Sequence, residues 1–277
     1  MTTTLPHLTF GGILRSEWIK LRSLRSTFWC YSILVFLTVG LGLLFAATFS
    51  GMGEMDYDTQ QTFAVQAATL SLGMSQLVVC VLGALVITGE YGTGMIRSTL
   101  TAVPTRLPAL AAKALVFAAV TFVISLVSIV LTMLISAPLL AGNGIEVDLG
   151  SAAVWLPLVG AAGYLALIGV LAFSLGTIIR HSAGGIAAVL GLILVVPTIV
   201  SVFAVITRAE WVANAQNFLP SNAGARMYAY VSDAAAAVDP MGLNATPLEP
   251  WQGALVVVAW VAALLVLAGV LLKRRDA

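Results

Sequence analysis

Few residues of this sequence form a pattern suited to covalent chemistry. The only histidines are His7 and His181, and neither belongs to a His-Glu-x-x-His zinc motif. The sequence has no Gly-x-x-x-x-Gly-Lys-Ser/Thr loop, so it lacks the motif that cradles nucleotide phosphates. The polar chemistry is instead concentrated in one segment, 89–106, where one acid and two arginines lie among glycines. This pattern favours docking and electrostatic contact over catalysis.

Segment 89–106 reads GEYGTGMIRSTLTAVPTR. Ile96, Leu100 and Val103 recur at helical spacing, which predicts a two-turn helix with one apolar face, ended by Pro104. A sharp bend is predicted before this helix, because glycine adopts backbone conformations that other residues avoid. The glycines concerned are Gly89, Gly92 and Gly94. A short helix with an exposed apolar face needs a partner surface to cover it.

The elements that must position this segment are apolar helices. The chain has 277 residues, of which 60% are apolar and 9% charged, whereas typical soluble domains have about 45–50% and about 25%. This composition excludes a soluble globular enzyme and a disordered chain, and the net charge of +1 excludes a bulk nucleic-acid binder. Six long uncharged runs predict an all-α membrane protein with six transmembrane helices. They lie at about 27–49, 64–88, 109–136, 152–179, 183–206 and 253–272.

The distribution of basic residues predicts that both termini are cytoplasmic. Six spans place the termini on one side, and eleven of the thirteen Lys and Arg residues fall on that side, whereas Arg208 and Arg226 fall on the other. Cytoplasmic segments carry the excess of basic residues, so segment 89–106 is predicted to be cytoplasmic. Segment 207–252 is predicted to be extracellular, with short helices separated near Leu219–Asn222. The whole chain, 1–277, is interpreted as one membrane domain.

Residues 1–26 predict an amphipathic helix in the cytoplasmic interface. Leu14, Trp18 and Leu21 share one helical face, whereas the basic residues lie on other faces. The alternative is an ordinary basic flank that only fixes topology. The residues assigned to the interfacial helix are Trp18, Lys20 and Arg22.

Three stretches resemble the type-2 export family of ABC transporter permeases. The pattern EYxxG at 90–94, followed by PTR at 104–106, resembles the first cytoplasmic loop of that family. The opening EWxKLR at 17–22 and the run LPSNAG at 219–224 resemble bacterial members. In order and spacing, the resemblance covers essentially the whole chain.

The resemblance implies the membrane-spanning subunit of an ATP-driven exporter in the bacterial plasma membrane. Segment 89–106 would be a coupling helix docked on a separate cytoplasmic ATPase subunit, which binds the ATP and Mg, so this chain itself would bind no cofactor and no metal. A second permease copy, identical or related, would complete the pathway for a hydrophobic or amphipathic substrate: a drug, antibiotic, peptide or lipid. The implied coupling residues are Glu90, Tyr91, Gly92, Gly94, Ile96, Arg97, Leu100 and Arg106, with Arg180 and His181 as a second contact.

Two other classes stay open from the residues alone. A secondary carrier would place acids at mid-membrane, where the sequence has none. A structural or regulatory membrane protein without transport is the other alternative.

Two charges near the spans lead to specific expectations. Glu90 is either a solvated carboxylate at a helix end or the fixed partner of a base such as Arg97 or Arg106. Lys113, the only charged residue within the predicted spans, is expected to extend its ammonium group to the interface.

Overall fold

The computed structural model describes residues 9–48, 55–92, 94, 106–231 and 248–274. These ranges contain helices and no strand. In chain order the helices are α1 (Phe10–Ser23), α2 (Arg25–Thr48), α3 (Tyr57–Thr69), α4 (Leu72–Gly92), α5 (Arg106–Gly142), α6 (Ala152–Ile179), α7 (Ser182–Leu190), a π-helical stretch (Gly191–Val195), α8 (Val196–Thr207), α9 (Glu210–Gln216), α10 (Pro220–Met227) and α11 (Pro250–Arg274).

Six helical segments among the described residues are long and apolar enough to cross a membrane, which confirms the predicted all-α class with six transmembrane helices. Helices α2, α5, α6 and α11 each form one segment. The second segment combines α3 and α4, and the fifth combines α7, the π-helical stretch and α8. The chain is therefore a multi-pass α-helical membrane protein.

The second span starts earlier than its apolar run. The run begins near residue 64, but α3 begins at Tyr57 because Asp56 caps it, with Asp56 Oδ2 accepting from the Thr59 N–H at 3.2 Å. Helix α3 ends at Thr69, and α4 begins at Leu72. Hydropathy marks the part of a span suited to lipid, whereas the capping residue marks where the helix begins.

Helix α6 lies at the centre of the bundle. Its most apolar window is 72% buried within the chain, more than that of any other described span. It packs against α4, α5 and α11. Gly83 of α4 approaches it so closely that an added Cβ would lie 2.4 Å from the carbonyl oxygen of Gly169. Small residues permit this approach, which matters in lipid because apolar burial gives little drive for helices to associate.

Side-chain hydrogen bonds connect the spans inside the bundle. The hydroxyl oxygens of Tyr31 in α2 and Thr121 in α5 are 2.8 Å apart. The hydroxyl of Tyr164 in α6 donates to Oε1 of Gln76 in α4. Such bonds are worth only about 0.6 kcal/mol each on average, so they contribute more to the mutual register of the helices than to stability.

A network of hydrogen bonds joins the start of α3 to the connection between α5 and α6. Gln61 Nε2 donates to the Glu146 carbonyl at 3.0 Å, and Gln61 Oε1 accepts from the Asp148 N–H at 2.9 Å. The Tyr57 hydroxyl donates to Asp148 Oδ2 at 2.7 Å, and this hydrogen bond lowers the pKa of Asp148. These contacts fix the connection between α5 and α6 to α3.

Two short helices, α9 and α10, lie in the segment after the fifth span. Helix α10 begins at Pro220, a residue suited to the first helical position because its missing N–H would have no partner there. Helix α10 packs closely on its neighbours: a Cβ on Gly224 would overlap the Tyr164 ring. Residues 232–247 lie outside the described ranges.

The contact between Gly83 and Gly169 predicts a specific intolerance to size. Gly83→Ala places a methyl group against a backbone carbonyl, so α4 and α6 must separate, at a cost of about 1–3 kcal/mol. Gly73→Ala in the same helix is the matched control, since its Cβ meets nothing within 4 Å. Thermal unfolding in detergent should show a lower midpoint for Gly83→Ala alone. Equal midpoints for the two variants would contradict the close packing.

Candidate functional site

Four charged side chains from three helices meet at the end of the bundle where most basic residues lie. Glu17 and Lys20 belong to α1, Glu90 to α4 and Lys113 to α5. Lys113 Nζ donates to Glu90 Oε1 at 2.5 Å and lies 2.6 Å from Glu17 Oε2. Lys20 Nζ lies 2.8 Å from Glu17 Oε1 and 3.6 Å from Glu90 Oε1. We call these four residues the charge cluster.

The charge cluster is mostly buried. Glu17, Glu90 and Lys113 are 3%, 4% and 7% exposed. The Lys113 ammonium contacts a carboxylate oxygen of each glutamate, which offsets the repulsion between the two acids. Loss of one member of such a buried pair leaves an uncompensated charge and costs about 3–5 kcal/mol. The cluster therefore requires α1, α4 and α5 to keep their relative positions, so that each buried charge retains its partner.

Lys20 lies at the partly exposed edge of the cluster. Burial lowers the pKa of its ammonium group, but the carboxylates of Glu17 and Glu90 outweigh this effect, so the pKa of Lys20 lies above its usual value. Lys20 therefore stays charged throughout the neutral range and completes the neutralisation of the two acids.

Two expectations about these charges need correction. The alternative of a solvated Glu90 is wrong, because Glu90 is buried and paired. The expectation that Lys113 extends to the interface is also wrong, because its ammonium is held between two carboxylates. The base beside Glu90 is thus Lys113. Arg97 lies outside the described residues, and for Arg106 only the backbone is described, as the first residue of α5.

Helix α4 ends at Gly92, the second of the three glycines expected to form the bend. The helix continues through Gly89, so the expected bend at that residue is wrong. Gly94 has φ +72°, a left-handed conformation that favours glycine, and its N–H donates to the Tyr91 carbonyl at 3.3 Å. The predicted docking residues Ile96 and Leu100 lie in 95–105, outside the described residues.

Arg180 and His181, the predicted second contact with the ATPase, lie beside the end of α4. The Arg180 guanidinium is 5.4 Å from the centroid of the Tyr91 ring, within the range of a cation–π interaction. Arg180 has φ +60° and ends α6 by donating its N–H to the Gly176 carbonyl at 2.9 Å. His181 caps α7, since its Nδ1 accepts from the Gly184 N–H at 3.2 Å. The end of α4 is therefore contacted by the link between α6 and α7 as well as by the charge cluster.

Helix α1 packs on the bundle with a face that shares Leu21 with the predicted apolar face. Its buried residues are Ile13, Glu17 and Leu21. Trp18 is 49% exposed, and Arg22 is exposed. The buried face thus includes an acid, which hydrophobic periodicity alone does not select.

Sequence reasoning missed Glu17 and the role of Lys113. Each carried a signal: Glu17 is the only acid within the basic segment 1–26, and Lys113 is the only charge within the predicted spans. A charged residue that differs in this way from all its sequence neighbours indicates a partner of opposite charge elsewhere in the chain.

A family model described as "ABC-2 family transporter protein" matches residues 13–198. The matched region contains the whole charge cluster, segment 89–106 and the Arg180–His181 link. No curated protein matches the chain.

The charge cluster predicts a large cost for losing its central ammonium. Lys113→Met should lower the free energy of unfolding by about 3–5 kcal/mol, because two buried carboxylates lose their shared partner. The matched control is Lys273→Met, which removes an exposed ammonium and should change stability by less than about 0.5 kcal/mol. Denaturant titration in detergent micelles measures both.

A double-mutant cycle tests the pairing itself. The double variant Lys113→Met with Glu90→Gln should lose less stability than the sum of the losses in the two single variants, with a coupling of about 0.5–3 kcal/mol. Strict additivity would show that the two residues stabilise the bundle independently.

Proposed function

The chain belongs to the ABC-2 family of transporter proteins, and we propose that it is the membrane-spanning subunit of an ATP-driven exporter. ATP is hydrolysed by a separate cytoplasmic subunit docked on segment 89–106. Nucleotide and Mg belong to that subunit, so this chain is a transport subunit and not itself the ATPase. The family membership and the six apolar helices support a membrane permease; the export direction and the partner are the proposal.

The observation that carries this proposal is the firm attachment of the end of α4. A loop that transmits force from a docked ATPase must move together with the helices that line the pathway. Glu90 lies in the last turn of α4 and is held by Lys113 of α5, while Tyr91 contacts Arg180 at the end of α6. Motion of segment 89–106 therefore reaches three spans at once.

In the proposed cycle, ATP binding draws two ATPase subunits together and pushes the docked coupling helices. Glu90, Tyr91, Gly92 and Gly94 lie at the base of that helix, and Ile96, Arg97, Leu100 and Arg106 supply its contacts. Arg180 and His181 form the second contact. The charge cluster passes the displacement to α1 and α5, and the rigid packing of α4 on α6 passes it across the membrane.

The position of the charges favours this proposal over an ion-coupled carrier. Such a carrier needs ionisable residues near the middle of the membrane. Among the described residues, the charged side chains of the spans lie toward helix ends, and Lys113 is already paired. A hydrophobic or amphipathic substrate, such as a drug, antibiotic, peptide or lipid, suits a pathway with so few charges.

The proposal includes a second permease copy and a location in the bacterial plasma membrane with both termini cytoplasmic. The span Ser182–Thr207 has only 22% of its most apolar window buried within the chain. Lipid and a second copy, identical or related, would cover the rest.

The proposed function predicts that a soluble ATPase subunit purifies with this chain and that the apolar face of the coupling helix holds it. Leu100→Asp should reduce the amount of co-purified ATPase about tenfold or more, since it places a charge in a buried contact. Leu149→Asp is the matched control, because Leu149 is an exposed leucine beyond the end of α5 that lies away from segment 89–106. Quantitative affinity purification from native membranes gives the ratio.

Two results would contradict the proposal. The first is that no ATP-hydrolysing protein accompanies the wild-type chain. The second is that Leu100→Asp and Leu149→Asp retain equal amounts of ATPase, which would place docking on another surface.

A further inference from the structure

Two neighbouring cavities lie at the elbow where α1 ends and α2 begins. The first, of about 440 Å³, is the elbow cavity; it is lined by Arg22, Ser23, Leu24, Arg25, Phe28 and Trp29. The second, of about 750 Å³, is the apolar groove between α1, α2 and α5. They share Arg22 and Phe28, so a single molecule can occupy both.

The elbow cavity has the character of an anion site. Arg22 and Arg25 are both exposed, and neither forms an ion pair with a described residue. Among the described residues no acid lines either cavity, and the acids Glu17 and Glu90 line a third cavity that shares Ser23 and Leu24 with the elbow cavity. Helix α2 begins at Arg25, and the first-turn N–H groups of a helix have no partner within it and attract negative charge. The two guanidinium groups and the helix start thus present positive charge to the same small space.

The apolar groove has the length and lining of an acyl-chain site. Tyr31, Val35 and Phe36 of α2 form one wall, and Val120 and Ile124 of α5 form the other. Phe36 lies eleven positions after Arg25, and this distance is about 16 Å along a helix. That length is close to half of the ~30 Å hydrocarbon core, the depth of one leaflet.

One buried polar atom lies between the charged and apolar parts. Thr27 is 6% exposed and lines the groove, and its Oγ1 has no hydrogen-bond partner among the described residues. A buried hydroxyl without a hydrogen-bond partner is unfavourable, so a ligand that accepts from it gains affinity. Thr27 follows Arg25 by two residues in the first turn of α2, and it lines the groove together with Arg22 and Phe28, the two residues that the groove shares with the elbow cavity. A donor at this position suits a glycerol ester carbonyl.

We propose that the elbow cavity and the apolar groove form one binding site for an anionic phospholipid of the leaflet on the basic side, which the charge topology makes cytoplasmic. Arg22 and Arg25 bind the phosphate, Thr27 donates to an ester carbonyl, and an acyl chain fills the groove. The bound lipid contacts both α1 and α2 and stabilises the angle between them. The site is separate from the ATPase contact, so the proposal stands whether or not the chain exports a substrate.

The test uses the purified, delipidated full chain and two lipids with identical acyl chains, phosphatidylglycerol and phosphatidylcholine. Native mass spectrometry should show one phosphatidylglycerol bound at least about tenfold more tightly than phosphatidylcholine. At a hundredfold excess over Kd, a ligand specific to the folded state adds about 2.7 kcal/mol of stability, so phosphatidylglycerol should also raise the thermal midpoint. Equal binding of the two lipids would overturn the proposal.

Matched variants locate the site. Arg22→Gln with Arg25→Gln should weaken phosphatidylglycerol binding about tenfold or more. Arg15→Gln removes one positive charge, as each single change at the elbow does, from an exposed position of α1 outside both cavities and should leave binding unchanged. If Arg15→Gln weakens binding as much as either change at the elbow, the attraction is diffuse electrostatics and the site does not exist.

A second pair of variants keeps the test decisive if the double arginine variant folds poorly. Thr27→Val keeps the side-chain shape and removes the donor, so it should weaken phosphatidylglycerol binding several-fold. Thr48→Val, at an exposed hydroxyl at the other end of α2, should have no effect. Unchanged binding in Thr27→Val would exclude the ester contact and, with it, the proposed placement of the lipid.

Discussion

The basic end of the bundle depends on one constraint: a charge withdrawn from water needs a partner of opposite sign. Lys113 meets it by contacting Glu90 at 2.5 Å and Glu17 at 2.6 Å. Because these three residues lie on three helices, satisfying the charges also fixes how α1, α4 and α5 are arranged. An apolar contact would persist if the helices slid past one another, whereas the ion pairs would lengthen and leave their charges without partners.

The two ends of the bundle are held by different interactions. Ion pairs join the helices at the basic end, whereas side-chain to backbone hydrogen bonds of Gln61 join α3 to the segment that precedes α6 at the other end. Between them, Gly83 and Gly169 allow α4 and α6 to touch through their backbones. Helix α4 is therefore held both at its end and along its length, which suits an element that transmits displacement across a membrane.

The sequence was sufficient for the six spans, because hydropathy reports directly on the length of chain suited to lipid. It was insufficient for the partner of Glu90, because the charge pattern of one helix does not say which other helix lies beside it. The glycines show a related limit: Gly89 has the composition of a bend, yet α4 continues through it and ends at Gly92, and among these glycines Gly94 has a positive φ. Local propensity permits a bend at any of the three and does not select one of them.

Helix α1 connects the two sites. One face carries Glu17 into the charge cluster, whereas Trp18 and Arg22 line the apolar groove on the other side. A helix with contacts on both faces can shift only if both sets of contacts change. A lipid in the groove would therefore favour the position of α1 in which Glu17 reaches Lys113, and loss of the charge cluster would in turn weaken the groove. This reciprocity follows from linkage, and with the proposed lipid bound it would couple occupancy of the groove to how firmly the end of α4 is held.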